Sequence, residues 1–363
     1  MSMVVSSLPQ VRFEHFVIFA IALLSLFLCI SYLNFNQLDL TASSASLFEK
    51  QHQTTSHVHK TSEVSTLPFS PNTVNSTSKS SNWQEIDLNG GITTDVIYEA
   101  GYIDLNSQIC PNSGKNLKLL IAVTSAPSHD SARVAVRETW GHFALRKDIA
   151  IAFLLGATSD QTLNGKIEQE QEIFGDIIRG NFIDTYDNLT LKTISMLEWV
   201  NNFCSEAQFV LKTDDDMFIN VSRLLAFIAK HKPERRAIYG RLVSKWEPVR
   251  DKHSRYYISP QQYEPSIFPN FTTGPAYLFP AQMSEELHKA SLNYTYVKLE
   301  DVFVTGIVAN DLKIERVNAP EFLNTQISFE PCVIQKKISI HNVNSDQQYD
   351  LWKKLHDVTN CEK

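Results

Sequence analysis

Phe209-Val210-Leu211-Lys212-Thr213-Asp214-Asp215-Asp216-Met217-Phe218-Ile219-Asn220 sets three adjacent carboxylates between two short apolar segments. Each segment has the length and composition of a buried strand, and carboxylates in a row repel one another unless positive charge lies nearby. A strand ending in Asp-x-Asp at a cleft edge suits a divalent cation that arrives with a phosphorylated ligand. Hard oxygen donors favour Mg²⁺ or Mn²⁺ over zinc or copper. The run does not fit a calcium EF-hand, because Phe218 stands where the third ligand belongs and no glycine follows. Alone, an acidic triplet equally suits a solvated turn or a helix cap. The surrounding segments must arbitrate.

Upstream, Leu117 to Val123 and Ile149 to Gly156 are nearly continuous apolar runs, the pattern of parallel strands covered on both faces. Ser131, after the turn Pro127-Ser128-His129-Asp130, predicts a helix through Trp140 closed by Gly141. Lys166 to Phe174 reads as a helix ending at Gly175, and Asp176-Ile177-Ile178 opens a short strand. Leu191, Ile194, Leu197 and Val200 recur at helical spacing within Leu189 to Phe203. This alternation predicts an α/β fold with a mostly parallel, three-layer sheet. Ligands gather at the carboxyl ends of such strands, where Asp214 to Asp216 fall. No GxGxxG or P-loop occurs, which weighs against dinucleotide-binding and NTPase functions. Residues 237–280, rich in aromatics, Gly and Pro, predict loops and short strands beside the cleft. Glu300 and Asp301 open a further helix, placed favourably at its positive end.

The chain has 363 residues and a net charge of −7 with no basic stripe, so nucleic acid is not an expected partner. Phe16 to Leu33 is an uncharged stretch of 18 residues, long enough to reach the spanning range of a bilayer. Asn34-Phe35-Asn36-Gln37-Leu38 follows, a poor cleavage context, so an uncleaved signal anchor is expected with residues 1–15 cytoplasmic. Residues 41–82 hold 18 Ser or Thr among 42 positions and cannot bury enough surface to offset their conformational entropy. The expected organisation is a stem over 34–104 and one lumenal domain over 105–363. Apart from Cys29 in the span, four cysteines suit an oxidising lumen. They allow three pairings, of which Cys110 with Cys204 and Cys332 with Cys361 is the expected one. Sequons begin at Asn75, Asn188, Asn220, Asn270 and Asn293.

Five segments recur in a fixed order. They are Arg133-Val-Ala-Val-Arg137-Glu-Thr-Trp140-Gly141; Asp176 to Thr193, containing Asp184, Asn188 and Lys192; Lys212 to Asp216; Phe268-Pro269 with Gly274-Pro-Ala-Tyr277; and Glu300-Asp301-Val302. Together they resemble the β1,3-glycosyltransferase family of β1,3-galactosyl- and β1,3-N-acetylglucosaminyltransferases, from about Leu119 to Asn310. The resemblance implies a GT-A fold, Golgi residence as a single-pass type II protein, a UDP-sugar donor, Mn²⁺ and inversion at the anomeric carbon. The chain departs from the usual pattern in Phe268-Pro-Asn-Phe-Thr-Thr-Gly274, which lacks a cysteine and a second glycine, and at Thr305. These loops shape the sugar pockets.

The resemblance also assigns roles. Asp216 is the expected metal ligand, Asp214 the metal shell or ribose contact, and His341 the histidine completing the metal site. Asp215 is the most replaceable of the three by strand alternation, though it lies in the nucleotide pocket. Arg133 and Arg137 share a helix face and are expected to reach phosphate or uridine, unless one braces Asp184 or Asp176. Asp184 and Lys192 belong to the nucleotide pocket. Asp301 is the expected general base and Glu300 an acceptor contact. The expected function is transfer of galactose from UDP-galactose to a glycan. The alternatives are UDP-N-acetylglucosamine as donor, or a non-catalytic glycan-binding protein on the same fold.

Overall fold

The computed structural model describes residues 87–357. The expected anchor over 16–33, the Ser/Thr-rich run over 41–82 and Cys361 lie outside the described residues. Among the described residues no helix is long and apolar enough to cross a membrane.

An eight-stranded sheet forms the frame. Its strands are β1 (Tyr102–Asp104), β2 (Leu119–Thr124), β3 (Ile149–Ala157), β4 (Ile177–Ile183), β5 (Phe209–Asp214), β7 (Ala237–Val243), β8 (Phe271–Pro280) and β9 (Glu315–Asn318). Across the sheet they run β1-β4-β3-β2-β5-β8-β7-β9. Parallel pairing joins β4, β3, β2 and β5 in one half of the sheet, and β7 with β9 at its far edge. From β5 outward, β8 pairs antiparallel with both β5 and β7. The sheet is therefore mixed. Residues 237–280, expected as loops and short strands, supply two of its long strands. Their Gly and Pro marked breaks, but β8 is buried on both sides of Gly274-Pro275 and runs straight through them.

The folded domain also begins before the expected boundary at 105. Thr94 and Ile97 are buried, and β1 pairs with β4.

Both faces of the parallel half are covered, which explains its uninterrupted apolar runs. Leu120, Ala122 and Val210 pack with Ile194, Leu197 and Val200 of the long helix Leu189–Phe203. Leu119, Ile121, Val123 and Leu211 pack on the other face with Val136, Ile167, Leu224 and Leu351. Those four come from α1 (Asp130–Glu138), α2 (Gln161–Phe174), α4 (Val221–Ile228) and α6 (Ser345–Leu355), the helix Leu189–Phe203 being α3 and Ser284–Ser291 being α5. α2 starts five residues before the expected Lys166, because Asp160 caps it by accepting from the Thr162 and Leu163 amides. Gly175 closes it at φ 63°.

α1 stops at Glu138, and a 3₁₀ turn over Trp140–Leu145 carries the chain onward. A Cβ at Gly141 would stand 2.5 Å from the Val136 carbonyl oxygen, so this turn requires glycine. Trp140 is buried, and its Nε1–H lies 3.1 Å from both the Met217 carbonyl and Gln348 Oε1. The Arg-Glu-Thr-Trp-Gly segment thereby anchors the chain just beyond the acidic triplet. A disulfide joins Cys110 to Cys204 as expected. Cys332 is also disulfide-bonded.

Candidate functional site

The acids at the end of β5 divide their partners. Past Asp216, the two-residue strand β6 (Phe218–Ile219) pairs antiparallel with β10 (Ser339–Ile340), Ile340 opposite Phe218. That pairing carries His341, some 120 residues distant in sequence, to the side of Asp216. His341 Nε2 lies 3.3 Å from Asp216 Oδ2. Its Nδ1 lies 3.1 Å from the Asn324 carbonyl oxygen, which can only accept, so Nδ1 carries a proton. Asn342 then turns the chain at φ 62°, a conformation asparagine tolerates, and the Val343 amide donates to the Asp216 carbonyl at 2.9 Å.

Asp216 Oδ1 is buried with no hydrogen-bond partner. A buried carboxylate oxygen left unpaired costs free energy unless a ligand completes it. Beside it stands an imidazole whose far nitrogen is fixed by a backbone carbonyl, the usual outer support of a metal-ligating histidine. A cavity of about 320 Å³ opens here, lined by Asp216, Gln326, Asn342, Val343, Asn344 and Gln347. The donor set fits a divalent cation that draws its remaining ligands from phosphate oxygens and water. Among the described residues no third His, Cys, Asp or Glu completes a protein-only site.

Asp214, expected in the metal shell or at the ribose, is held through one oxygen. Its Oδ1 accepts from Lys212 Nζ and from Thr124 Oγ1, both at 2.6 Å. Asp215 is not spare either, because it is buried and its Oδ2 accepts from Ser125 Oγ at 2.6 Å. The same oxygen lies 2.9 Å from His129 Nδ1, and that bond raises the His129 pKa above its ordinary value. His129 leaves the rest of its ring exposed at the mouth of the cleft.

The two arginines expected at the phosphates work from behind this wall. Arg133 is 1% exposed and makes a two-pronged pair with Glu170, at 2.8 and 2.7 Å. Its remaining nitrogen donates to Ser125 Oγ and the Ala126 carbonyl. Arg137 makes a two-pronged pair with Asp176 and an ion pair with Glu170, and lies over the Phe153 and Phe174 rings. Asp176 is thus the braced acid, as the bracing alternative anticipated. Asp184 accepts from Lys192 Nζ at 2.9 Å and from the Gly156 amide at 2.7 Å, and Lys192 also donates to the Ser125 carbonyl. Ser125, Asp184 and Asp214 to Asp216 all sit at carboxyl ends of parallel strands, as the topology requires.

A second group of acids lies across the seam between β5 and β8. Tyr277 stands opposite Lys212 in that register. Its hydroxyl donates to Glu300 Oε1 at 2.5 Å, and Glu300 Oε2 lies 3.5 Å from Lys212 Nζ. Glu300 is 6% exposed, and burial pushes its pKa up to about 6. Buried and paired, it is not open to an acceptor as expected. Asp301 caps the helix Val302–Val308, which is wound as a π-helix, a form frequent at functional sites. Asp301 Oδ1 accepts from the Val302 amide at 2.9 Å and Oδ2 from the Gly274 amide at 3.0 Å. Burial raises its pKa above the ordinary carboxylate value, against the opposing pull of those two amides and Lys212. Thr305 ties the π-helix to β8: its hydroxyl accepts from the Thr272 amide and lies within bonding distance of the Thr272 and Asp301 carbonyls.

The residues that sequence reasoning passed over are Ser125, His129, Glu170, Lys212 and Tyr277. Lys212 carried a visible signal, a lone cation inside an apolar strand next to three acids, and Tyr277 closed the Gly274-Pro-Ala-Tyr277 segment.

The galactosyltransferase family model matches residues 131–320. The chain is 37% identical over 243 residues to beta-1,3-galactosyltransferase 1 of Mus musculus, covering 66% of this chain and 74% of that protein. It is 35% identical over 242 residues to beta-1,3-galactosyltransferase 5 of Homo sapiens, covering 65% and 78%. Among solved structures, the apo WbbM bifunctional glycosyltransferase aligns with a TM-score of 0.39 at 12% identity, over 68% of this chain and 50% of that one. A likeness that loose carries no argument.

Proposed function

This chain belongs to the galactosyltransferase family, and we propose that it is an inverting β1,3-galactosyltransferase using UDP-galactose and a glycan acceptor. The observation that carries the reading is a division across one seam. An incomplete acid–imidazole pair, Asp216 and His341, lies past the end of β5, and a half-buried acid, Asp301, is fixed beside the neighbouring strand β8. A hydrolase would need a second carboxylate as nucleophile or water activator at the reacting carbon, and the remaining acids here are tied to cations.

Asp216 and His341 would hold Mn²⁺. Bound there, the cation supplies positive charge against the diphosphate as charge grows on it. Asp184, braced by Lys192 and Gly156, presents the nucleotide pocket from β4, while His129 adds a ring nitrogen at the cleft mouth. Asp301 accepts the proton of the acceptor hydroxyl as that oxygen bonds the anomeric carbon from the face opposite the leaving group. The carbon–oxygen bond to UDP breaks in the same displacement, and UDP departs with the bonding electrons. The two backbone amides on Asp301 hold its carboxylate in one orientation, and its burial-raised pKa improves it as a base.

The apolar run over 16–33, the polar stem and the lumenal features of the domain support a type II protein of the Golgi membrane. Incubating the protein with a panel of UDP-sugars, Mn²⁺ and simple glycosides, with UDP release measured, tests the reading. UDP-galactose is expected to give the fastest acceptor-dependent release and a product with a β1,3 linkage by NMR. Preference for UDP-N-acetylglucosamine would move the chain to the alternative donor. Glycan binding without any release would make it a non-catalytic binder.

A further inference from the structure

Lys212 is a buried ammonium, 4% exposed, between the two acid groups. We propose that it is a positioning residue, fixing the Asp301 base through the Gly274 peptide while holding Asp214 on the other side of the seam. This rests on the transferase reading above.

An ammonium has three hydrogens. One points to Asp214 Oδ1 at 2.6 Å, one to the Gly274 carbonyl at 2.9 Å, and the third lies toward Glu300 Oε2 at 3.5 Å. None is left for a substrate, so Lys212 acts through its neighbours. The Gly274 peptide is gripped at both ends. Its carbonyl accepts from Lys212 and its amide donates to Asp301 Oδ2. Rotating that peptide to satisfy another partner would release the carboxylate. The approach is close, since a Cβ at Gly274 would lie 3.4 Å from both Glu300 Oε2 and Asp301 Cβ. Burial disfavours the charge on Lys212, but Asp214 and Glu300 outweigh it and hold the pKa above its ordinary value. The cation therefore stays charged while three acids share it.

The test uses the full chain, with transfer by the unsubstituted protein established first. If that protein transfers no sugar, the transferase reading fails and not this inference. Lys212→Ala should lose about 100-fold in kcat, the scale of a small misplacement of a reacting group, with the donor KM within about threefold. Propylammonium, which refills the deleted ammonium, should recover kcat at least about tenfold, and propanol of similar size should not. A kcat near the unsubstituted value, or equal rescue by propanol, would overturn the proposal. Should Lys212→Ala not fold, Lys212→Gln keeps a donor toward Gly274 and loses only the charge. A drop in kcat of about tenfold at unchanged donor KM supports the role, and an unchanged kcat refutes it.

Discussion

Past the end of β5, Asp216 keeps a buried oxygen with no partner, whereas across the seam Glu300, Asp301 and Lys212 have every charged atom bonded. The contrast follows from what each side has to receive. A phosphorylated donor brings its own charge and its own oxygens, so a site that awaits it is left incomplete. An acceptor hydroxyl brings neither. The group that takes its proton must therefore be held by the protein itself, at the expense of gathering three acids around one buried lysine.

Asp301→Asn is the sharpest way to break this contrast. It should slow transfer by about 10²–10⁴-fold, the usual cost of losing a general base, with donor binding intact. Single-turnover transfer rates beside donor titration measure both. Near-normal turnover in a folded variant would move the base elsewhere, with Glu300 first in line.

Arg133→Met addresses the wall behind the nucleotide side. It strands Glu170 beside an uncharged side chain, and removing one partner of a buried pair costs about 3–5 kcal/mol. Arg137, also paired with Glu170, should keep the loss near the lower figure. Chemical denaturation measures it. A variant as stable as the parent, with weakened UDP binding, would return Arg133 to the phosphate role.

Glu300 provides a smaller, pH-dependent effect. Its pKa stands at about 6, raised by burial from an ordinary 4.5, so the folded state favours its neutral form. Its contribution to stability is full below about pH 4.5 and is lost as pH rises through about 6. Turnover should move the opposite way, because protonation withdraws an anion from Lys212 and loosens the seam. Glu300→Gln should remove this component from both the denaturation and the kcat profiles. Profiles that keep the same acid limb would assign it to another group.

The smallest effect concerns sequons. Asn270 and Asn293 are exposed, whereas Asn220 is 5% exposed and caps α4 by accepting from the Arg223 amide. Peptide mapping of the secreted protein should find glycan at Asn293 or Asn270 and none at Asn220. Asn293→Gln should leave kcat essentially unchanged. A glycan on Asn220 would contradict the cap.

Much of the parallel half was legible in the sequence, because strands covered on both faces read as unbroken apolar runs. The helix Leu189–Phe203 was found to the residue. The antiparallel pair β7 and β8 was not, since Gly274 and Pro275 interrupt β8 at the point where its backbone must approach Asp301. Asp216 and His341 were paired only through family resemblance. Their meeting depends on two-residue strands, too short to leave a periodic signal. The arginines misled for a different reason: a helix face shows that two cations share a side, but not that Glu170 and Asp176 already occupy it.

The division between the two sides is tested most directly by calorimetric titration of UDP, with and without Mn²⁺, into Asp216→Asn and Asp301→Asn. The expected result is that Asp216→Asn loses the manganese-dependent part of UDP binding while Asp301→Asn keeps it. Manganese-dependent UDP binding that survives in a folded Asp216→Asn, or disappears in Asp301→Asn, would contradict the assignment of donor and base to opposite sides of the seam.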